Sequence, residues 1–144
     1  MEEITIGHRV PTPAVLRRLA EAVGWGHAFD WDTVHRSPER SLFGVVALDG
    51  DMAVGMGRLV GDGALYFHGQ DVAVDPGWQG RGVGQAIVET LLDHVRDVAP
   101  AGAFVGLFAT REALWLYRRY GFSEGDMTGM FRLVHPTRTH RHDT

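Results

Sequence analysis

The sequence predicts a single mixed α/β domain of the α+β kind, with a largely antiparallel sheet and helices on both faces. Three observations carry that prediction. Asp49-Gly50 and Asp62-Gly63 each separate apolar runs of strand character, a strong hairpin signal that predicts an antiparallel meander of three strands. Two stretches with helical spacing, Gly82 to Val98 and Thr110 to Tyr120, flank a short apolar run at Phe104 to Phe108. A helix between two strands is a crossover, so the strands at Ala64 to Val74 and Phe104 to Phe108 are expected to run parallel.

Composition bounds the function. The chain has 144 residues, 44% of them hydrophobic and 22% charged, which is ordinary globular usage and enough chain to bury a core without staples. Its net charge of -4 gives no general attraction to nucleic acid or to an anionic membrane. A polyanionic ligand must therefore be bound by local geometry. There is no cysteine, hence no disulfide, no thiolate zinc site and no Cys nucleophile. Glu2, Glu3, His8 and Arg9 stand where a secretory signal needs an apolar core, and no apolar run approaches membrane-spanning length. The expectation is a soluble cytoplasmic protein.

Taken in order, Glu3 to Val10 alternates weakly around Ile4 and Ile6 and reads as an edge strand. Thr12-Pro13 supplies an N-cap hydroxyl and a first-turn proline. The apolar stripe Val15, Leu16, Leu19, Ala20 and Val23 then predicts a helix ended by Gly24. Trp25 to Ser37 is looser, with a short helix expected over Asp30 to His35. Its aromatic residues Trp25, Phe29 and Trp31 fit two readings, a pocket wall or a loop anchored on the core. Strands follow at Leu42 to Leu48, Met52 to Val60 and Ala64 to Val74, with Gly55 and Gly57 leaving room for a closely packed neighbour. Val83, Ala86, Ile87, Leu91, Val95 and Val98 define the next helix, stopped before Pro100. Phe104 to Phe108 reads as a buried strand, and Ala113, Leu116, Tyr117 and Tyr120 mark one face of a helix capped by Gly121. Gly129 to Val134 is expected to close the sheet. The domain is placed at residues 1–135, and 136–144 is expected to be a flexible tail. The tail region's histidines His135, His140 and His142 are read as disordered rather than as a metal site.

The chemically distinctive stretch is Gln70 to Gly84, QDVAVDPGWQGRGVG. A strand runs through Asp75-Pro76-Gly77 into a glycine-rich turn at a helix start. Unpaired amides and the positive end of the helix dipole then meet at one point, which suits phosphate. The stretch lacks the Lys-Ser or Lys-Thr of a P-loop, and its glycines are spaced differently from a dinucleotide fingerprint.

Gln79, Gly82 and Gly84, directly after VAVDP, match the pattern Q/R-x-x-G-x-G/A. Ala113 to Phe122, ALWLYRRYGF, matches A-x-x-L-Y-x-x-x-G-F about 30 residues later. On these two blocks the stretch from Leu42 to Val134 resembles the GCN5-related N-acetyltransferase (GNAT) family. The resemblance implies a sheet whose parallel strand pair splays apart, with the pantetheine arm of acetyl-coenzyme A in the gap. It implies pantetheine contacts from Val72, Ala73 and Val74, and pyrophosphate contacts from Gln79, Gly80, Arg81, Gly82, Val83 and Gly84. A further cofactor contact falls at Thr110, where the family often has Asn. Tyr117 falls at the position that protonates the departing thiolate, although spacing alone also allows it simply to pack.

An alkyl amine has a pKa of about 10 and arrives largely protonated at pH 7, so a base or relay is needed. The resemblance makes His68 the candidate, four residues before Val72 where some members carry a glutamate or histidine as base, with Asp71, Gln70 and ordered water as possible parts of the relay; a hydrogen-bonded structural histidine is the other reading. Strict alternation puts His68, Gln70, Val72 and Val74 on one face and Asp71 on the other, unless a bulge re-aims it. By the same resemblance Trp25, Phe29, Trp31 and Gln70 are candidate acceptor contacts. The runs WQGRGVG, VGLFA, LYRRYGF and GMF resemble a subgroup that includes arylalkylamine and serotonin N-acetyltransferases. The expected function is transfer of acetyl from acetyl-coenzyme A to the primary amine of a small molecule, by direct attack in a ternary complex. The alternatives are acetylation of a protein lysine or N-terminus, and a non-catalytic acyl-coenzyme A sensor. No metal, nucleic acid or membrane partner is expected, and a homodimer is.

Overall fold

The computed structural model describes residues 3–26 and 29–134. Its elements run β1 (Thr5–Gly7), α1 (Pro13–Ala22), β2 (Phe43–Asp49), β3 (Met52–Gly61), β4 (Tyr66–Val74), α2 (Val83–Val98), β5 (Phe104–Gly106) and α3 (Leu114–Arg119). Five strands lie in one sheet in chain order. The first four pair antiparallel, and β4 pairs parallel with β5. Gly50 at φ 62° and Gly63 at φ 78° supply the left-handed turn residues of the two hairpins.

Each sheet face is covered because each flanking helix carries an apolar stripe. Thr12 caps α1, its hydroxyl accepting from the Val15 amide at 3.2 Å, with Pro13 in the first turn. Leu16, Leu19 and Ala20 then bury against Val46, Met56 and Ala73. The two leucines contribute roughly 3–6 kcal/mol by leaving water. On the other face, α2 packs Val83, Ile87, Leu91 and Val95 onto Val45, Val54, Leu59 and Phe67. The sheet glycines permit this approach. A Cβ on Gly55 would stand 2.9 Å from Ile87 Cδ1, and one on Gly57 would stand 2.8 Å from Ile87 Cγ2.

Three expectations are corrected. The helix expected over Asp30 to His35 is replaced by 3-10 turns at Val34–Arg36 and Pro38–Arg40. Asp30 turns the chain there instead, its carboxylate accepting from the Asp32 amide at 3.1 Å and the Thr33 hydroxyl at 3.0 Å. The strand at Phe104 to Phe108 is shorter and lies at the sheet edge, with Phe104 50% exposed. No closing strand forms over 129–134. A strand needs a paired neighbour, and Phe131 instead touches Phe108 edge-on with ring centroids 5.7 Å apart and stays 77% exposed. His135, His140, His142 and the expected tail lie outside the described residues. Among the described residues no helix is long and apolar enough to cross a membrane.

Candidate active site

The parallel ladder between β4 and β5 ends at the pair His68 and Gly106, while β4 runs on to Val74. β5 ends at that pair too, so β4 runs on without a ladder partner on that edge, and a fork opens between it and the chain leaving β5. The Asp75 amide donates back to the Val54 carbonyl on β3 at 2.8 Å. Backbone groups alternate sides along a strand, so the amides of Val74 and Val72 turn into the gap. Gln79 ties the following loop to the strand end, its Nε2 donating to the Val74 carbonyl at 3.0 Å.

That loop is built to present amides. Asp75 Oδ1 accepts from the Gly77 amide at 2.9 Å and caps the 3-10 turn Pro76–Trp78. Arg18 of α1 holds the same carboxylate, with Nη1 3.6 Å from Asp75 Oδ2, and also donates to the Ala53 carbonyl. Gly80 at φ 79° and Gly82 at φ 85° take left-handed backbone, and nothing stands within 4 Å of a Cβ placed on either. Gly82 is the N-cap of α2, no side chain caps that end, and its first turn carries no acid. The amides of the first turn therefore remain available to an anion, with the helix dipole behind them.

A cleft of about 600 Å³ opens between this loop, the β4 prong and α3, lined by Val72, Val74, Gly82, Thr110, Leu116 and Tyr117 among others. Tyr117 is 7% exposed. Its ring meets Phe122 edge-on at 5.8 Å, and its hydroxyl makes no hydrogen bond among the described residues. Burial pushes the phenol up to about 12. It is thus neutral at any ordinary pH and holds a donatable proton at the cleft wall.

A family model described as an acetyltransferase (GNAT) domain matches residues 39–124, from just ahead of β2 to just past α3. The chain belongs to the GNAT acetyltransferase family. It is 31% identical over 122 residues to the ribosomal protein bS18-alanine N-acetyltransferase of Escherichia coli K12, a match spanning 81% of this chain and 78% of that protein. It is 38% identical over 79 residues to a histone acetyltransferase of soybean, Glycine max, across 54% of this chain. The chain spans about a third of the length of the plant relatives it matches. A solved structure of a protein of unknown function from meticillin-resistant Staphylococcus aureus superposes with a TM-score of 0.84 at 28% identity, covering 92% of this chain and 100% of that one. Proteins of the GNAT family use acetyl-coenzyme A as acyl donor, so that is the group the cleft has to fit. The geometry fits that group: free amides at the α2 start suit a pyrophosphate, and gap-facing amides of β4 suit an amide-bearing arm.

Not every expected residue lines the GNAT cleft. Val83 sends its side chain into the core, leaving only its amide to the loop, and Arg81 lies over the Trp78 ring at 4.6 Å. Trp25 does line the cleft. Phe29 and Trp31 do not; they stack on each other at 5.0 Å, Trp31 Nε1 donates to the Gly26 carbonyl at 3.0 Å, and Arg17 lies 4.8 Å over the Trp31 ring. That is the loop-anchor reading for those two residues. Gln85, Glu112 and Trp115 also line the cleft. They went unnoticed because they lie off the buried stripes, although Trp115, an aromatic inside the ALWLYRRYGF block and off its apolar face, was a readable signal.

Asp71 departs most from expectation. It adopts φ 56°, and the β3–β4 register shifts between Met56 and Arg58. This is the bulge that re-aims the strand: Val72 and Val74 join Phe67 on the α2 face, while Ala73 faces α1. His68 and Gln70 therefore do not share a face with Val72 and Val74. Asp71 itself is buried, its Oδ2 accepting from Arg58 Nε at 2.8 Å and its Oδ1 lying 3.4 Å from Gln70 Nε2. An acid so paired is a structural counter-ion, not a cleft base. Arg58 also donates to the hydroxyls of Ser37 and Ser41, each at 3.0 Å. His68 lies at the root of the fork, half-buried, with its ring 5.6 Å from Phe108, and it is not among the cleft's lining residues.

Proposed function

We propose that this enzyme acetylates the primary amine of a small molecule by direct attack within a ternary complex. The observation that carries the reading is the buried Tyr117 hydroxyl, without a hydrogen-bond partner among the described residues, beside a gap into which the Val72 and Val74 amides turn. Acetyl-coenzyme A supplies an activated acyl thioester when bound. The first-turn amides of α2 with Gly80 and Gly82 hold its phosphates, and Val72 and Val74 orient the arm and polarise the carbonyl through their N–H groups. Tyr117 holds the proton that a departing thiolate needs as the C–N bond forms and the C–S bond breaks. His68, where the strands part, takes the amine's surplus proton through water. Trp25 offers an indole face to the acceptor, which suits an aromatic amine of the arylalkylamine kind.

A second reading, acetylation of a protein N-terminus, is favoured by the likeness to the Escherichia coli enzyme whose named target is an alanine of a ribosomal protein. Calorimetry with acetyl-coenzyme A, followed by thiol release across a panel of aryl and alkyl amines and an alanine-initiated peptide, tests both. Saturable binding with turnover on small amines supports the first reading, and turnover on the peptide alone replaces it with the second. Binding without turnover on any amine makes the protein a sensor, and no binding rejects the assignment of the cleft.

A further inference from the structure

A second, smaller cavity of about 20 Å³ lies on the α2 side of the fork, behind the cleft. Its lining is wholly apolar and includes Gly69, Val72, Leu92, Leu107, Tyr117 and Phe122. Two of these, Val72 and Tyr117, are also walls of the larger cleft. Gly69 and Leu107 are the first residues beyond the last paired positions of β4 and β5. The cavity is therefore the root of the gap, adjoining the tyrosine beside which the thioester carbonyl would stand. A space this size takes about one water-sized group, and with no polar partner it holds no water. A small alkyl group entering it leaves no polar group unpaired.

We propose that this cavity receives the alkyl end of the transferred acyl group, so that the enzyme takes propionyl at least as well as acetyl and rejects longer chains. The inference rests on the reading of the cleft given above. Donor and acceptor chemistry are unchanged: the amine nitrogen bonds the acyl carbon, the C–S bond breaks, and the thiolate gains the Tyr117 proton. Only the group carried differs, by one methylene accommodated in a dry space. Gly69 and Leu92 set the size of that space. A Cβ on Gly69 would lie 3.7 Å from Leu107 Cβ and Cδ2, ordinary packing distance, and Gly69 does not need left-handed backbone. Gly69→Ala therefore folds while taking up room, and Leu92→Ala at a half-buried site adds room.

Calorimetric titration of the whole chain with coenzyme A and its acetyl, propionyl and butyryl thioesters, with no acceptor present, reads the effect directly. Propionyl-coenzyme A is expected to bind between equally and about fourfold more tightly than the acetyl thioester, the share of one buried methylene. Butyryl-coenzyme A is expected to bind about tenfold more weakly than propionyl. Leu92→Ala restores the butyryl thioester, and Gly69→Ala abolishes the propionyl advantage. A propionyl thioester bound tenfold more weakly than acetyl by the wild type overturns the inference. So does an unaltered ranking in both variants when circular dichroism shows them folded. If neither coenzyme A nor its acetyl thioester binds, the reading of the cleft itself fails, and this inference fails with it.

Discussion

Tyr117 joins a structural cost to a chemical use. A hydroxyl buried without a partner costs a protein about 1–3 kcal/mol, so Tyr117→Phe is expected to fold at least as stably as the wild type at neutral pH. The same change removes the proposed proton donor, and kcat for acetyl transfer is expected to fall roughly 100-fold where chemistry limits turnover. A variant with undiminished kcat under those conditions ends the donor role. The raised phenol also makes a stability prediction. Its folded pKa of about 12 lies above the unfolded value near 10, so its contribution is complete below pH 10 and is lost as pH rises towards 12. The chain has three tyrosines and no lysine, so phenols dominate that window. Urea melts across it are expected to show the wild type losing about 1–3 kcal/mol more than Tyr117→Phe. The place of Tyr117 on the cleft wall was legible in the sequence because a signature block fixed its position. Asp71 was not, because its role depends on a backbone angle that composition does not encode.

Strand β4 works as a device because one residue breaks its alternation. The bulge at Asp71 turns Val72 and Val74 to the α2 face, and the buried pair with Arg58 is what holds it. Removing one partner strands a buried charge, so Asp71→Asn and Arg58→Ala are each expected to destabilise by about 3–5 kcal/mol. In a double-mutant cycle the two losses should be strongly non-additive, and simple additivity in urea melts would count against the pair as the bulge's anchor. On β3, Gly57→Ala would drive a Cβ to 2.8 Å from Ile87 Cγ2. That overpacking is expected to cost about 1–3 kcal/mol, read as a lower denaturation midpoint. The alternating reading left a bulge at Asp71 open without choosing it, yet a signal was present. Arg58 sits inside the apolar run MAVGMGRLV, and an arginine there needs an acid. By contrast, the close approach at Gly55 and Gly57 was legible, since small residues in a strand mark where a neighbour presses in.

At the scale of the molecule, element order was legible because turns and crossovers are local or chirally constrained. The closing strand was not, because a strand exists only with a partner, and the partner is a property of the assembled sheet. The same distinction governs the cleft proposed to hold the cofactor, whose parts come from β4, the start of α2 and α3. With a net charge of -4 the surface as a whole does not attract a polyanion, so affinity must arise where those parts meet, and only in the folded state. Binding to the folded state alone raises stability by mass action, by about 2.7 kcal/mol at a ligand concentration of 100 times Kd. For a chain of this length, that corresponds to a rise in Tm of about 5–10 °C. Scanning calorimetry with coenzyme A is expected to show this rise, and adenosine, which has no pyrophosphate, should produce little of it. Gly82→Ala forces a side chain onto left-handed backbone at the helix start, so its own Tm should drop, and its rise with coenzyme A should shrink because the amides are misaimed. An equal rise with adenosine would move the binding energy away from the glycine turn. No rise at saturating coenzyme A would mean that the cleft formed by the three elements does not bind it.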